Sequence, residues 1–325
     1  MSENFISMDE RPLISIITPT YNRDTLIGRA IESILNQTYD NFELIIIDDG
    51  STDSTELVVN NYINDDRVNY YKQKNSGKPS LARNAALKYV TGEWVAFLDS
   101  DDTWYKDKLQ KQVDVIKFAQ KNEIELAIVS GDYDEIVSGV KSSNTFFQKY
   151  SVRKLLEKEI LISLPNGAIY NQEGFLKQLY SRGFLSTQAN LVKANYILEE
   201  EGFREDLHFF EDTDLWLKIA KKSNVGLIYS PVATYHLHGN NITSGQPKRL
   251  LTDTIKGLSD HLQLVNQSKE VCNIINERIC YYKLNLFSSD NEEKITMSDF
   301  VYSRRNMKQF IKALIIKTIT MGKAR

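Results

Sequence analysis

Apolar residues in the first hundred positions follow two alternating rhythms. Short runs rich in β-branched side chains occupy Leu13–Thr18 (LISIIT), Phe42–Asp48 (FELIIID), Val68–Lys72 (VNYYK) and Trp94–Asp99 (WVAFLD). Such continuous runs are what strands covered on both faces require. Between them, Leu26–Gln37, Ser54–Tyr62 and Ser80–Val90 carry apolar residues at helical spacing, with Ser54 placed to cap the second. This alternation predicts an α/β fold on a doubly wound, mostly parallel sheet. Beyond Asp107 the rhythm loosens into a helix over Lys108–Gln120, a strand over Leu126–Ser130 and a stretch without regular pattern to about Asn195. A helix over Glu211–Lys222 and a strand over Val225–Ser230 follow, and after Pro247 the chain reads as helices only. A boundary near residue 246 therefore separates a domain over 1–246 from a helical C-terminal extension over 247–325.

Polar clusters fall at the carboxyl ends of three predicted strands: PTYNR after the first, DDGSTD after the second and DSDD after the fourth. Doubly wound sheets bind ligands in the crevice outside those ends, so the three clusters predict a site. In DSDD, one acid would suffice to cap the next helix, and Asp102 suits that role. Asp99, Asp101 and Asp102 together repel one another, which a hard cation such as Mg²⁺ or Mn²⁺ would cancel while keeping positions open for phosphate oxygens. Asp49 sits in an Asp-Gly turn. It either serves that turn or accepts hydrogen bonds from a base or ribose. Tyr21 either stacks on a base or is an ordinary core or surface tyrosine. Lys78 and Arg83 lie at a helix start, where N–H groups and cations neutralise phosphate. Neither GxGxxG nor GxxxxGK[ST] occurs, which counts against a dinucleotide dehydrogenase and a P-loop NTPase.

Composition narrows the classes further. The chain has 325 residues, 42% hydrophobic and 26% charged, with a formal net charge of −3. That is enough for a sizeable core, and it lacks the basic surplus of a nucleic-acid binder. Its cysteines, Cys272 and Cys280, are eight apart on a predicted helix, about 12 Å of rise and too far for a disulfide. No secretory leader and no apolar run of about 18 residues is present, so a cytoplasmic location is expected. From Val301 to Arg325 there is no Asp or Glu, while Met307, Phe310, Ile311, Leu314, Ile315 and Ile319 recur at helical spacing among basic residues. Such a helix either lies on an anionic bilayer, here the inner face of the cytoplasmic membrane, or packs on the domain with a solvated basic face.

SIITPTYNR, IIIDDGSTDST, NSGKPSLARNAAL, GEWVAFLDSDD and EDTDLWLKIA, in this order and spacing over Leu13–Ser244, resemble the motif series of family 2 glycosyltransferases. The resemblance implies the GT-A fold, a Rossmann-like doubly wound mixed sheet with helices on both faces. It assigns the nucleotide-sugar half to about 12–107 and the acceptor half to about 108–246. It also implies transfer of sugar from a nucleotide diphosphate donor, usually UDP-linked, with inversion at the anomeric carbon and with Mn²⁺ or Mg²⁺. Carried over by residue, Pro19 and Tyr21 line the base pocket, Asp49 contacts the base, and Arg83 lies near ribose and base. Asp99 and Asp101 form the DXD metal motif, with Ser100 between them on the donor and Asp102 beside them.

Glu211, Asp212 and Asp214 open a predicted helix, where any of them could serve only its dipole. The family's Glu-Asp pair matches Glu211 and Asp212, which makes Asp212 the expected base and Glu211 its understudy. Asp214, two residues past Asp212, points away from it. Alternation in TYHLH puts His236 and His238 on one face; lone histidines are more often structural, and the resemblance matches His238 to a metal or diphosphate contact. The QxxRW signature of processive synthases is missing, so addition of a single sugar to a glycan or lipid-linked oligosaccharide of bacterial surface polysaccharide is expected. A nucleotidyltransferase acting on sugar phosphates and a non-catalytic sugar-nucleotide binding module are the rival readings.

Overall fold

The structure, a computed structural model, describes residues 11–239, 246–264 and 268–289. Eleven strands form one mixed sheet among these residues: β1 (Ile14–Thr20), β2 (Phe42–Asp48), β3 (Val68–Lys72), β4 (Trp94–Phe97), β5 (Thr103–Trp104), β6 (Leu126–Val137), β7 (Val140–Lys141), β8 (Ile160–Leu164), β9 (Gly167–Tyr170), β10 (Leu191–Lys193) and β11 (Asn224–Leu237). The order is β3-β2-β1-β4-β10-β6-β11-β9-β8, with β5 added to β11 and β7 to β6. The first four strands pair in parallel, as the alternation predicted, and β6 pairs in parallel with β11. The short β10 runs antiparallel between β4 and β6 and joins the two regions.

Period-two alternation sends successive side chains to opposite faces. Ile17, Ile45, Ile47, Val95 and Phe97 enter one core, and Ile14, Ile16, Leu44, Ile46 and Ala96 the other. Trp216 is fully buried in the first core, packed against Phe97 and Phe203. The predicted helices are present but shorter, at Ile27–Leu35, Thr55–Val59 and Pro79–Leu87. Ser54 holds the cap position of the second without a capping bond; the Asp53 carboxylate takes the Thr55 N–H instead at 3.0 Å.

The stretch 132–195, which showed no regular pattern, contains the end of β6, the hairpins β6–β7 and β8–β9, the helix Gln172–Ser181 and β10. β6 continues through the acids Asp132, Asp134 and Glu135 because each finds a partner. Asp132 accepts from Phe147 N and Tyr133 N at 2.8 Å, Asp134 pairs with Lys141 at 2.8 Å, and Glu135 pairs with Lys149 at 2.8 Å. β11 likewise outruns its predicted end, passing Pro231 through register shifts that bring its last residues beside β5. Among the described residues no helix is long and apolar enough to cross a membrane. The basic helix expected over Val301–Arg325 lies outside the described residues.

The helices Pro247–Leu264 and Lys269–Ser289 pack on the sheet domain. Their Leu258, Val271, Ile275 and Ile279 belong to the same core as Leu215 and Trp216. Gly257 meets Phe210 so closely that an added Cβ would overlap the ring. Glycine to alanine in an exposed helix stabilises by about 1 kcal/mol. Gly257→Ala is expected to do the reverse, destabilising by about 1–3 kcal/mol through overpacking. Thermal denaturation of the two proteins reads the sign.

Candidate active site

A cleft of about 760 Å³ opens at the carboxyl ends of β1, β2 and β4, within the size range of small-molecule sites. Two loops interlock at one wall. Asn22, in the left-handed region at φ 49°, donates its N–H to Ser51 Oγ at 2.9 Å and accepts from Thr52 N at 2.8 Å. This holds PTYNR against DDGST, with Pro19 and Tyr21 lining the cleft and Tyr21 45% exposed, its ring open to a stacking partner.

Asp49 also lines the cleft, but its carboxylate is occupied. Gln73 Nε2 (2.7 Å), Ser76 N (2.9 Å), Ser76 Oγ (2.9 Å) and Gly77 N (3.3 Å) all donate to it. The residue thus folds the 73–77 loop into a wall. Gly50 permits the turn: φ is +81°, and a Cβ there would meet Asn75 N at 2.8 Å. Lys78 holds the N-cap position of the helix Pro79–Leu87 without a capping bond and sends Nζ to the carbonyl of Glu205.

Arg83 is 4% exposed and reaches two acids, Asp99 Oδ1 at 2.6 Å and Glu211 Oε1 at 3.5 Å. Burial disfavours its charge, and Asp99 and Glu211 outweigh that effect. The four residues expected at a metal are divided by the fold. Asp99 is bound to Arg83. Asp101 Oδ2 meets His238 Nε2 at 3.1 Å, because pairing of β5 with β11 carries TYHLH alongside DSDD. Asp102 turns beneath the cleft, 1% exposed, and accepts the His236 N–H at 2.8 Å. Its Oδ2 has no hydrogen-bond partner among the described residues. Burial and the neighbouring acids push both the Asp101 and Asp102 carboxyls up.

Among the described residues no group of three or more His, Cys, Asp or Glu side chains is arranged to hold a metal. Asp101 and His238 would supply two ligands to such an ion. Their 3.1 Å separation suits adjacent ligands of an octahedral ion with bonds of about 2.1 Å. Oxygens of a bound diphosphate would have to complete the shell.

Across the cleft, Phe210 adopts φ 72°, a conformation that costs an aromatic residue about 1–2 kcal/mol, and starts the helix Glu211–Ala220. The turn is held from the C-terminal helices: Asp253 Oδ2 accepts His208 N at 2.9 Å and Phe209 N at 3.1 Å. Glu211 and Asp212 line the cleft. Burial and the Asp212 charge raise the Glu211 carboxyl to about 8, with Arg83 opposing. Asp212 accepts from Thr187 Oγ1 at 3.0 Å and from Thr213 N at 2.5 Å. Asp214 faces away, bound to Lys218 at 2.8 Å and His261 at 3.1 Å.

Arg23, Thr187, Gln188, His208, Arg278 and Tyr282 also line the cleft. Arg23 was visible as the last residue of PTYNR. The others carried no sequence signal, since they arrive from a short 3₁₀ turn, a loop and a helix distant in the chain.

The profile described as Glycosyl transferase family 2 matches residues 15–179. From Escherichia coli, UDP-Glc:alpha-D-GlcNAc-diphosphoundecaprenol beta-1,3-glucosyltransferase WfgD is 33% identical over 242 residues, 73% of this chain and 82% of that protein. Some relatives are longer: the chain spans about a third (35%) of an uncharacterized glycosyltransferase of Rickettsia felis, at 31% identity over 236 residues. S. aureus TarS 1-349, solved in complex with UDP-GlcNAc, superposes with a TM-score of 0.62 at 19% identity over 93% of this chain and 79% of that one. The mannosyltransferase PcManGT of Pyrobaculum calidifontis, solved with GDP-Man and Mn²⁺, gives 0.62 at 16% identity over 96% and 87%. Both share the GT-A fold. Motif order, strand-end geometry and backbone course agree, and the chain belongs to family 2 of the glycosyltransferases.

Proposed function

We propose that this glycosyltransferase moves one sugar from a UDP-sugar to a hydroxyl of a lipid-linked glycan, with inversion, in the synthesis of a bacterial surface polysaccharide. One observation carries the reading: Asp101, which His238 contacts, and Asp212 line one cleft, so a site for departing phosphates and a site for proton removal serve the same ligand. The name of WfgD supports the UDP donor and the lipid-diphosphate acceptor. The Mn²⁺ of PcManGT supports a divalent cation.

Tyr21 stacks on the base, and the wall that Asp49 organises shapes its pocket. Arg83 keeps Asp99 in place beside Asp101. Asp101 and His238 would hold Mn²⁺ or Mg²⁺, which when bound would supply Lewis-acid stabilisation of the negative charge on the leaving diphosphate. Asp212 takes the proton of the acceptor hydroxyl as it attacks the anomeric carbon from the face opposite the diphosphate. Its carboxylate already accepts from Thr187 and Thr213, which fixes its direction. Glu211 holds its proton at neutral pH and so serves as a neutral neighbour, not as the base.

Asp212→Asn is expected to lower kcat by about 10²–10⁴-fold. Calorimetry should show UDP affinity unchanged in that variant. Asp101→Asn and His238→Ala should each weaken UDP binding in the presence of Mn²⁺ and leave it unchanged in a chelator. Titration of Glu211 makes a third expectation. An unfolded glutamate ionises near 4.5 while the folded one keeps its proton to about 8, so unfolding releases a proton between those values and stability falls as pH rises. Without donor, the wild type should lose on the order of a few kcal/mol relative to Glu211→Gln between pH 5 and 8. Parallel melting curves for the two across that range would contradict this.

A further inference from the structure

The C-terminal helices bring to the cleft a cation that no acid among the described residues neutralises. Arg278 lines it, and among the described residues no carboxylate lies within 4.0 Å of its guanidinium. Arg83 meets two acids and Arg204 meets Asp206, Asp214 and Asp260, whereas Arg23, on the PTYNR loop of the same cleft, also reaches only carbonyls, those of Tyr21 and Asn22. Arg278 is held by neutral groups instead. Nη1 donates to the carbonyls of Tyr180 at 3.1 Å and Leu179 at 3.4 Å, while the guanidinium lies 6.0 Å from the Phe210 ring centre and 5.8 Å from that of Tyr282. Nη2 and Nε make no hydrogen bond to a described residue, so the fixed side chain keeps its charge and free donors.

Its position relates it to the base. A Cβ at Gly183 would lie 3.1 Å from Arg278 Nη2 and 3.5 Å from Thr213 Cγ2, so the guanidinium borders the turn that carries Asp212. A half-buried cation among aromatic rings and carbonyls is complementary to an anion, and Arg offers phosphate two parallel donors. The donor's phosphates belong with Asp101 and His238. A second anion beside Asp212 belongs to the acceptor.

We propose that Arg278 forms an acceptor subsite that binds the phosphate attached to the acceptor sugar. This rests on the glycosyl-diphosphate-lipid reading of the acceptor given above. The subsite sets specificity: a sugar with a diphosphate at its anomeric carbon is held, and a neutral glycoside is not.

Arg278→Gln keeps N–H donors for the two carbonyls and removes the charge. Dodecyl diphosphate titrated into full-length protein saturated with UDP and Mg²⁺ should bind about 10- to 100-fold more weakly to Arg278→Gln than to wild type. UDP affinity should be equal in both, and Arg278→Lys should be intermediate. If Arg278→Gln does not fold, the wild-type and Arg278→Lys comparison carries the test with the same ranking. Equal diphosphate affinity in all forms would overturn the subsite and leave the acceptor reading standing. Competition by glucuronic acid but not by dodecyl diphosphate would also overturn it, by showing a carboxylate site. Transfer by the wild type to neutral alkyl glycosides as readily as to glycosyl diphosphate lipids would overturn the acceptor reading, and the subsite with it.

Discussion

The buried guanidinium of Arg83 holds the site together. It comes from the helix after β3 and reaches Asp99 at the end of β4 and Glu211 at the start of the last helix of the sheet domain. Removing a guanidinium from water is unfavourable, and the contacts with two acids offset it. The two contacts are unequal, 2.6 Å against 3.5 Å. Asp99 therefore takes most of the charge compensation. Glu211 is left to burial and to the repulsion of Asp212, which is why its carboxyl rises to about 8. A single cation thus joins the loop after β4 to the turn that carries Glu211 and Asp212.

The same economy of partners resolves the crowding in DSDD. Each acid is drawn in a different direction: Asp99 to Arg83, Asp101 to His238 and Asp102 to the backbone of β11. Asp102 is then a fastener between the loop and the end of β11, and it brings His238 into range of Asp101. The burial that pushes the Asp101 carboxyl up is the circumstance in which a bound divalent cation acts most strongly, because a cation reverses the local electrostatics.

The C-terminal helices are part of the site. Asp253 ties down two backbone N–H groups just before Phe210, and Gly257 leaves room for its ring. A bulky residue at φ 72° persists only where its surroundings impose it. Here they come from helices that close the core against Leu215 and Trp216. The boundary expected near residue 246 marks a change of architecture, and the core runs across it.

The chain by itself determined the parallel half of the sheet and the polar loops at the ends of β1, β2 and β4. Both depend on local patterns: β-branched runs buried on two faces, helical spacing between them, and polar clusters where each strand stops. The motif series also carried the identity of Glu211, Asp212 and the acidic loop. Of the other half, only the first parts of β6 and β11 were legible. Its remaining strands are short, and the rest of β6 carries Asp132, Asp134 and Glu135, whose burial depends on Phe147, Lys141 and Lys149 in the segments that follow it. The tertiary structure alone decided that Asp49 is saturated by the 73–77 loop, that Asp102 leaves the cleft, and that Arg278 enters it. Each of these depends on hydrogen-bond or charge partners distant in sequence, and no local periodicity records where such partners meet.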